Sequence, residues 1–423
     1  MIALLFCLLG VLFVIGLPIA FSLGLASAVT VWAGDLTRMV VVIQQIFNSI
    51  NSFPLMAIPF FILAGYLMQH GGISQRLVDF SNAIVGNMSG GLAIVAILTS
   101  LFFAAISGSG AATTAAIGSI LIPAMVHKGY NVKFASVNQA TAGALGVIIP
   151  PSIPMILYGI AANVSIGDMF FAGIIPGMLI TITLILYAYI FSKIKGYGGS
   201  EKSSLKELFV TGRKAMLALI MPVIILGGIY GGVFTPTEAA VVAVAYSFVI
   251  GVFVYKEISF KDLKNIFTTS AVTTSTILSI IGTAGLYSYI MQNLRVPMYI
   301  SELFLNATTS MIVFILIANV LLLVAGMFIE AAAAILIFVP ILLPVATEFG
   351  IDPLHFGVIM IVNLAMGMFT PPVGLNLFVA SQISKVSIMN MSKAVIPFVL
   401  IVLLDLMIIS FIPELSTWLP SLE

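Results

Sequence analysis

Charge is what this sequence has least of: 7% of its 423 residues are Asp, Glu, Lys or Arg, against 61% hydrophobic. So little polar surface cannot cover a water-soluble globule, and the expected class is a polytopic membrane protein. The near-balanced formal charge of +1 leaves no basic excess for nucleic acid. A single cysteine, Cys7, excludes a disulfide framework and a cysteine-ligated zinc site. The three histidines, His70, His127 and His355, sit near the ends of apolar runs with no metal spacing among them. The two tryptophans, Trp32 and Trp418, fit interfacial anchoring. The first apolar run, Ile2 to Leu17, lacks a basic leading segment and a small-residue cleavage site, so it reads as a retained span.

Long apolar runs are what the sequence has in abundance. Segments of spanning length cover 2–17, 18–33, 53–70, 133–160, 170–192, 214–234, 236–255, 272–292, 355–384 and 394–413. Two of these ten are interrupted near the middle, by Gly146-Val-Ile-Ile-Pro-Pro-Ser152 and by Gly367-Met-Phe-Thr-Pro-Pro-Val-Gly374. Adjacent prolines remove backbone donors and push the preceding residue out of the helical region, so each run is expected to be two half-helices. Irregular backbone at membrane depth survives only where it is buried in protein or lines a cavity, which marks these interruptions as a site.

Two further apolar segments, about 91–126 and 311–347, are too long for one crossing. Each carries small or polar residues at its centre, Ser107 to Thr114 and Gly326 to Ala334. Ser, Gly, Thr and the single Glu330 suit a buried tip better than a solvated turn, so both segments are expected to be re-entrant hairpins. The ten spans then put every basic residue except Arg38 and Arg295 on one face, including the run from Lys193 to Lys214 and Lys202 within it. By the positive-inside rule that face is cytoplasmic and both termini are periplasmic, with Asp168, Glu348, Asp352, Glu414 and Glu423.

At an offset of 221, Pro123, Pro150, Pro151 and Pro176 meet Pro344, Pro371, Pro372 and Pro397, and Gly129 and Gly146 meet Gly350 and Gly367. The chain therefore reads as two repeats, 1–212 and 213–423. Each has five spans, one of them broken, and one hairpin. Five is odd, so the second copy enters the membrane inverted, as in secondary transporters with paired broken helices. Within the first repeat, 1–75 is read as scaffold, 76–192 as transport elements and 193–212 as a cytoplasmic linker; within the second, 213–295 is scaffold and 296–423 transport elements.

The half-helix ending at Leu145 presents free carbonyls and a negative dipole end, which suits a small hard cation. The half-helix starting near Pro154, with Ser152 as its cap, presents N–H groups for a carboxylate. Glycine, hydroxyl and carbonyl oxygens without a carboxylate cluster point to a monovalent cation, and sodium is the expected coupling ion. An intramembrane enzyme would need a nucleophile with a base, or paired aspartates, and the four interruptions hold no such pair. A sodium or organic-anion channel is the rival reading, since re-entrant half-helices also build pores.

The runs FFAAISGSGAATTAAIGSILIPAM, GVIIPPSIPMILYG and GMFTPPVGLNLF make the chain similar, along essentially its whole length, to the large membrane subunit of the tripartite ATP-independent periplasmic (TRAP) transporters. The resemblance implies an elevator-type carrier of the ion-transporter superfamily. In it the first three spans of each repeat form the scaffold, and the hairpins and broken helices form a mobile transport domain. It implies sodium-driven uptake of an organic acid across the bacterial inner membrane, with the sialic-acid branch favoured over C4-dicarboxylates. It further implies two partners, a periplasmic substrate-binding protein and a small four-span membrane subunit, here expected on a separate polypeptide.

Two sodium sites are expected: Ser107, Gly108 and Ser109 with the backbone of Gly146 and Ile149, and Gly326 and Gly367 with the Thr370 hydroxyl. The substrate carboxylate is assigned to Ser109, Thr113 and Ser152, with Asn376 nearby. Glu330 would repel an anion, so it is expected to face away from the substrate into the transport domain.

Overall fold

The structure is a computed structural model that describes the whole chain except residues 200–202, 308 and 423 and the side chains of 305 and 307. Lys202 and Glu423 thus lie outside the described residues. Among those described, all regular structure is helical. Among the described residues, nine helices are long and apolar enough to cross a membrane, or ten when Val132–Ile148 and Ile153–Ala162, bent by 41° at their break, count as one.

The segment expected to be scaffold begins with Ile2–Val14 and Ile19–Gly34. At 1.5 Å per residue these helices are about 20 and 24 Å long, shorter than the expected spans 2–17 and 18–33. Gly16, with φ +80°, ends the first, and Pro18 precedes the second. The third scaffold element differs between repeats. In the first it is divided into Met39–Ile50, a tight turn at Phe53–Met56, and Ala57–His70. In the second it is one continuous helix, Phe260–Asn293. Pro54 accounts for the break; its counterpart 221 positions on is Ser275, which any helix tolerates.

Met39–Ile50 was absent from the sequence reading, as were the connectors Ile73–Val85 and Val296–Ala307. Ile73–Val85 buries Ile73, Leu77 and Val78 on one face and keeps Arg76 and Asp79 off it, the pattern of an amphipathic helix. The expected boundary at 75/76 falls inside it. The linker 193–212 is likewise helical at both described ends, as the tail of Ile166–Lys195 and the head of Leu205–Tyr230.

From the hairpins onward the two copies match closely. Gly110–His127 and Ala331–Glu348, each of 18 residues, start 221 positions apart, and so do Val132–Gly143 and Pro353–Gly367. The hairpin arms Gly91–Ser107 and Met311–Phe328 precede them at nearly the same spacing. Each hairpin tip meets the break in the broken helix that follows it. The Ile153 N–H donates to the Gly108 carbonyl at 3.3 Å, and the Gly374 N–H to the Met327 carbonyl at 3.1 Å. Each tip is thus packed against a mid-helix break rather than standing free as a turn.

The helices expected to form the scaffold pack on one another, Ala57–His70 against Pro236–Val249 and Ile19–Gly34 against Phe260–Asn293. The hairpins and broken helices interlock across the repeats. Leu375–Ser384 packs on Gly110–His127 and Val132–Gly143, and Ile153–Ala162 packs on Ala331–Glu348. The Tyr158 hydroxyl, donating to the Pro353 carbonyl at 2.5 Å, closes one of these contacts.

Candidate functional site

All four interruptions converge on one cavity of about 100 Å³. Its walls come from tip residues Ser107 to Ala112 and Glu330 to Ala332, break residues Val147, Ile153, Pro154, Met368 and Leu375, and the scaffold helices Ala57–His70 and Phe260–Asn293. The scaffold side is polar: Gln69 and Tyr66 face it, the Tyr66 hydroxyl 3.1 Å from that of Thr273. A water needs roughly 10–15 Å³ by this measure, so the space admits a compact molecule of several non-hydrogen atoms.

Among the described residues, no lysine, arginine or histidine lines the cavity, and Glu330 is the one carboxyl side chain that does. Partial positive charge is supplied by the helices that begin at Gly110 and Ala331. The first N–H groups of a helix have no intrahelical partner, and each dipole places about half a positive charge there. Gly110, Ala111, Ala331 and Ala332 are those first residues, and all four face the cavity. What the cavity can offer a compact anion is backbone dipoles and hydroxyls rather than an ion pair.

Ser107, Gly108 and Ser109 form the turn of the first tip, with Gly108 at φ +60°. The Ser107 and Thr113 hydroxyls are 2.8 Å apart, Thr113 donates to the Ser109 carbonyl at 2.8 Å, and Ser107 Oγ is 3.4 Å from the same carbonyl. Three oxygens thus gather within one contact distance of each other. Gly146 closes over them, for a Cβ there would stand 2.4 Å from the Ser109 carbonyl oxygen. Ile149 ends the half-helix, its N–H donating to Leu145 and its side chain packing toward Gly177. This oxygen-only donor set fits a small monovalent cation, and it includes Thr113, which the sequence reading gave to the substrate.

The second group shares the close glycine contact but gathers fewer oxygens. Gly326 and Gly367 touch backbone to backbone, a Cβ at Gly367 lying 2.4 Å from the Gly326 carbonyl carbon. The buried Thr370 hydroxyl donates to the Met366 carbonyl at 2.7 Å, and the Thr370 N–H to the Gly367 carbonyl at 3.0 Å.

Of the four residues assigned to the substrate, only Ser109 lines the cavity. Thr113, Ser152 and Asn376 are buried in the wall behind it. Ser152 does not cap Ile153–Ala162 as expected; its hydroxyl turns back to the Val147 carbonyl at 2.6 Å, satisfying a free end of the preceding half-helix. Asn376 donates to the Ala140 carbonyl at 3.0 Å and ties the two broken helices together. Glu330 also departs from expectation. It is exposed, and it lines both the cavity and an adjoining groove against Phe21, Thr276 and Ser279 of the scaffold, instead of pointing into the transport elements. The residues missed were Tyr66, Gln69 and Thr273; Gln69 in an otherwise apolar helix was the legible signal.

The comparisons with known proteins agree with this architecture. The family model of the tripartite ATP-independent periplasmic transporter, DctM component, matches residues 6–415. The chain is 46% identical over 95% of its length to an isethionate TRAP transporter permease of Oleidesulfovibrio alaskensis, of which it spans 64%. It is 42% identical over its full length to a C4-dicarboxylate TRAP transporter large permease of Vibrio cholerae, covering 98% of it, and 36% identical to a sialic acid TRAP large permease of the same organism, covering 97%. A crystal structure of the Alcanivorax borkumensis YdaH transporter shares the fold, with a TM-score of 0.60 over 87% of this chain and 86% of that one at 14% identity. Since the family match runs almost from end to end, the chain belongs to the DctM family of tripartite ATP-independent periplasmic transporters, as a multi-pass large permease and not an enzyme.

Proposed function

We propose that this chain carries a small organic acid across the bacterial inner membrane, driven by sodium and working by an elevator movement. A small membrane subunit and a periplasmic substrate-binding protein complete the system, and the basic face is cytoplasmic. The single observation behind this reading is the cavity at which both hairpin tips and both breaks meet the scaffold. Two helix N-termini face it, the Ser107, Ser109 and Thr113 oxygens gather beside the first break, and the Thr370 hydroxyl stands in the second. A channel has no need of paired, interlocked hairpins against a separate scaffold, whereas a carrier that moves its site as one body does.

The cavity volume and the identities to relatives favour a compact carboxylate or sulfonate, of the size of isethionate or a C4-dicarboxylate, over the sialic acid favoured from sequence. Glu330 at the rim, with Gln69 and Tyr66, offers hydrogen bonds to a hydroxyl on such an acid.

The test is uptake into proteoliposomes holding the chain, its small subunit and candidate binding proteins. Uptake is expected to saturate with substrate, to need inward sodium and to stop when the sodium gradient is collapsed. Flux that persists without sodium and never saturates establishes the channel instead.

A further inference from the structure

A second pocket, of about 600 Å³, opens at the basic end of the transport elements. Three segments far apart in sequence build it: the start of Val132–Gly143, the end of Ile166–Lys195, and the first turns of Ile388–Phe411. Each brings one lysine, namely Lys133, Lys195 and Lys393. Among the described residues no carboxylate lines the pocket, and the one ion pair, Arg76 with Glu257, is elsewhere. The lysines are uncompensated among the described residues, and their convergence works against electrostatic repulsion.

The floor is aromatic. Tyr130 stacks on Tyr197 at 4.4 Å and Phe134 on Phe191 at 4.5 Å, while Tyr187 meets Phe398 edge-on at 4.7 Å. The Tyr197 hydroxyl accepts from the Asn131 N–H at 3.1 Å, and Asn131 caps Val132–Gly143 through the Lys133 N–H at 2.9 Å. Met389, at the rim, is 81% exposed. Hydroxylated and apolar rings beneath a ring of ammonium groups make a site with one polar, cationic mouth and one greasy wall.

We propose that this pocket binds an anionic phospholipid, with the phosphate among Lys133, Lys195 and Lys393 and the glycerol and upper acyl chains against the aromatic floor. Two features select a lipid over a soluble anion. The pocket lies at the ends of Ile166–Lys195 and Ile388–Phe411, both of spanning length, which is headgroup level. Its aromatic and methionine wall also gives a hydrophilic anion nothing to bind. Basic pockets between spanning helices recognise anionic headgroups on this principle. The site stands apart from the substrate cavity and does not depend on the ion or substrate proposed above.

The test compares the purified full chain with a Lys133→Gln, Lys195→Gln, Lys393→Gln variant. Native mass spectrometry counts retained lipid, and thermal unfolding is followed as phosphatidylglycerol, phosphatidylcholine or glycerol phosphate is added. A Lys256→Gln, Lys261→Gln, Lys264→Gln variant is the matched control from the same basic face. Each lysine near an anionic headgroup contributes roughly a fivefold factor, so phosphatidylglycerol affinity should fall on the order of a hundredfold in the pocket variant. It should remain near wild type in the control, and phosphatidylcholine and glycerol phosphate should stabilise neither. If the triple variant does not fold, its Lys→Arg counterpart should keep the lipid and Lys393→Gln alone should weaken it roughly fivefold. Equal losses in pocket and control variants, equal stabilisation by phosphatidylcholine, or a full effect from glycerol phosphate each overturns the proposal.

Discussion

Gly146→Ala is the perturbation whose size the structure fixes best. The added Cβ would sit 2.4 Å from the Ser109 carbonyl oxygen, 2.6 Å from its carbon and 2.7 Å from Thr113 Oγ1. Ordinary contacts begin near 3.4 Å, so the first tip must retreat from the break by about an ångström. The obstruction is backbone, and no rotamer change relieves it. Overpacking of this kind costs about 1–3 kcal/mol, a factor of roughly 5 to 150 in the equilibrium that seats the tip. The oxygens of Ser107, Ser109 and Thr113, held together within the tip, would move with it away from the break. The sodium concentration for half-maximal uptake should therefore rise by a factor in that range, while substrate affinity measured at saturating sodium changes less. Sodium-dependent thermal stabilisation of the purified variant, read beside Gly227→Ala, separates the site from general damage, because nothing lies within 4 Å of a Cβ at Gly227. A Gly146→Ala protein with wild-type sodium dependence in both assays would refute the placement of a cation between tip and break.

Thr370→Ala removes a hydroxyl beside the Gly326–Gly367 contact, and Ser109→Ala removes a cap of the first tip; each should raise the sodium requirement several-fold in uptake assays, and an unchanged requirement in both counts against the two sites. Glu330→Gln, on an exposed carboxyl at the cavity rim, should leave thermal stability near wild type but change substrate affinity or the pH profile of uptake; a large stability loss with unchanged affinity would return Glu330 to a structural role. In a Cys7-free background, cysteine at Gly65, whose Cβ would lie 3.6 Å from the Ser107 Cα, should crosslink to the hairpin arm Gly91–Ser107 at two well-separated depths, each arresting uptake. Crosslinking at one depth only would favour rocking or local gating.

The positions of the helix breaks were determined by the sequence itself. Missing N–H groups and the restricted dihedrals before Pro150, Pro151, Pro371 and Pro372 act within a residue or two, so no tertiary contact can restore those helices. The 221-residue repeat was legible partly for the same reason, since the paired prolines copy the breaks, whereas Pro123, Pro176, Pro344 and Pro397 sit inside continuous helices and mark the repeat without breaking anything. Pro54 was equally local, yet it was read as lying within a span, and the divided scaffold helix was missed. Ile73–Val85 escaped because it is amphipathic rather than apolar, and a search for long apolar runs passes over it.

Which side of each wall a residue occupies was decided only by the tertiary structure. Thr113, Ser152 and Asn376 have the chemistry of substrate ligands, but helix rotation buries them against Ser109, Val147 and Ala140. Glu330 faces the scaffold because Phe260–Asn293 and Ile19–Gly34 leave room there, a fact set by elements distant in the chain. The lysine pocket depends on three segments whose ends meet only after packing. Backbone breaks are local consequences of covalent geometry; facing and convergence depend on how rigid helices are rotated against one another, and one strand of sequence carries no record of that rotation.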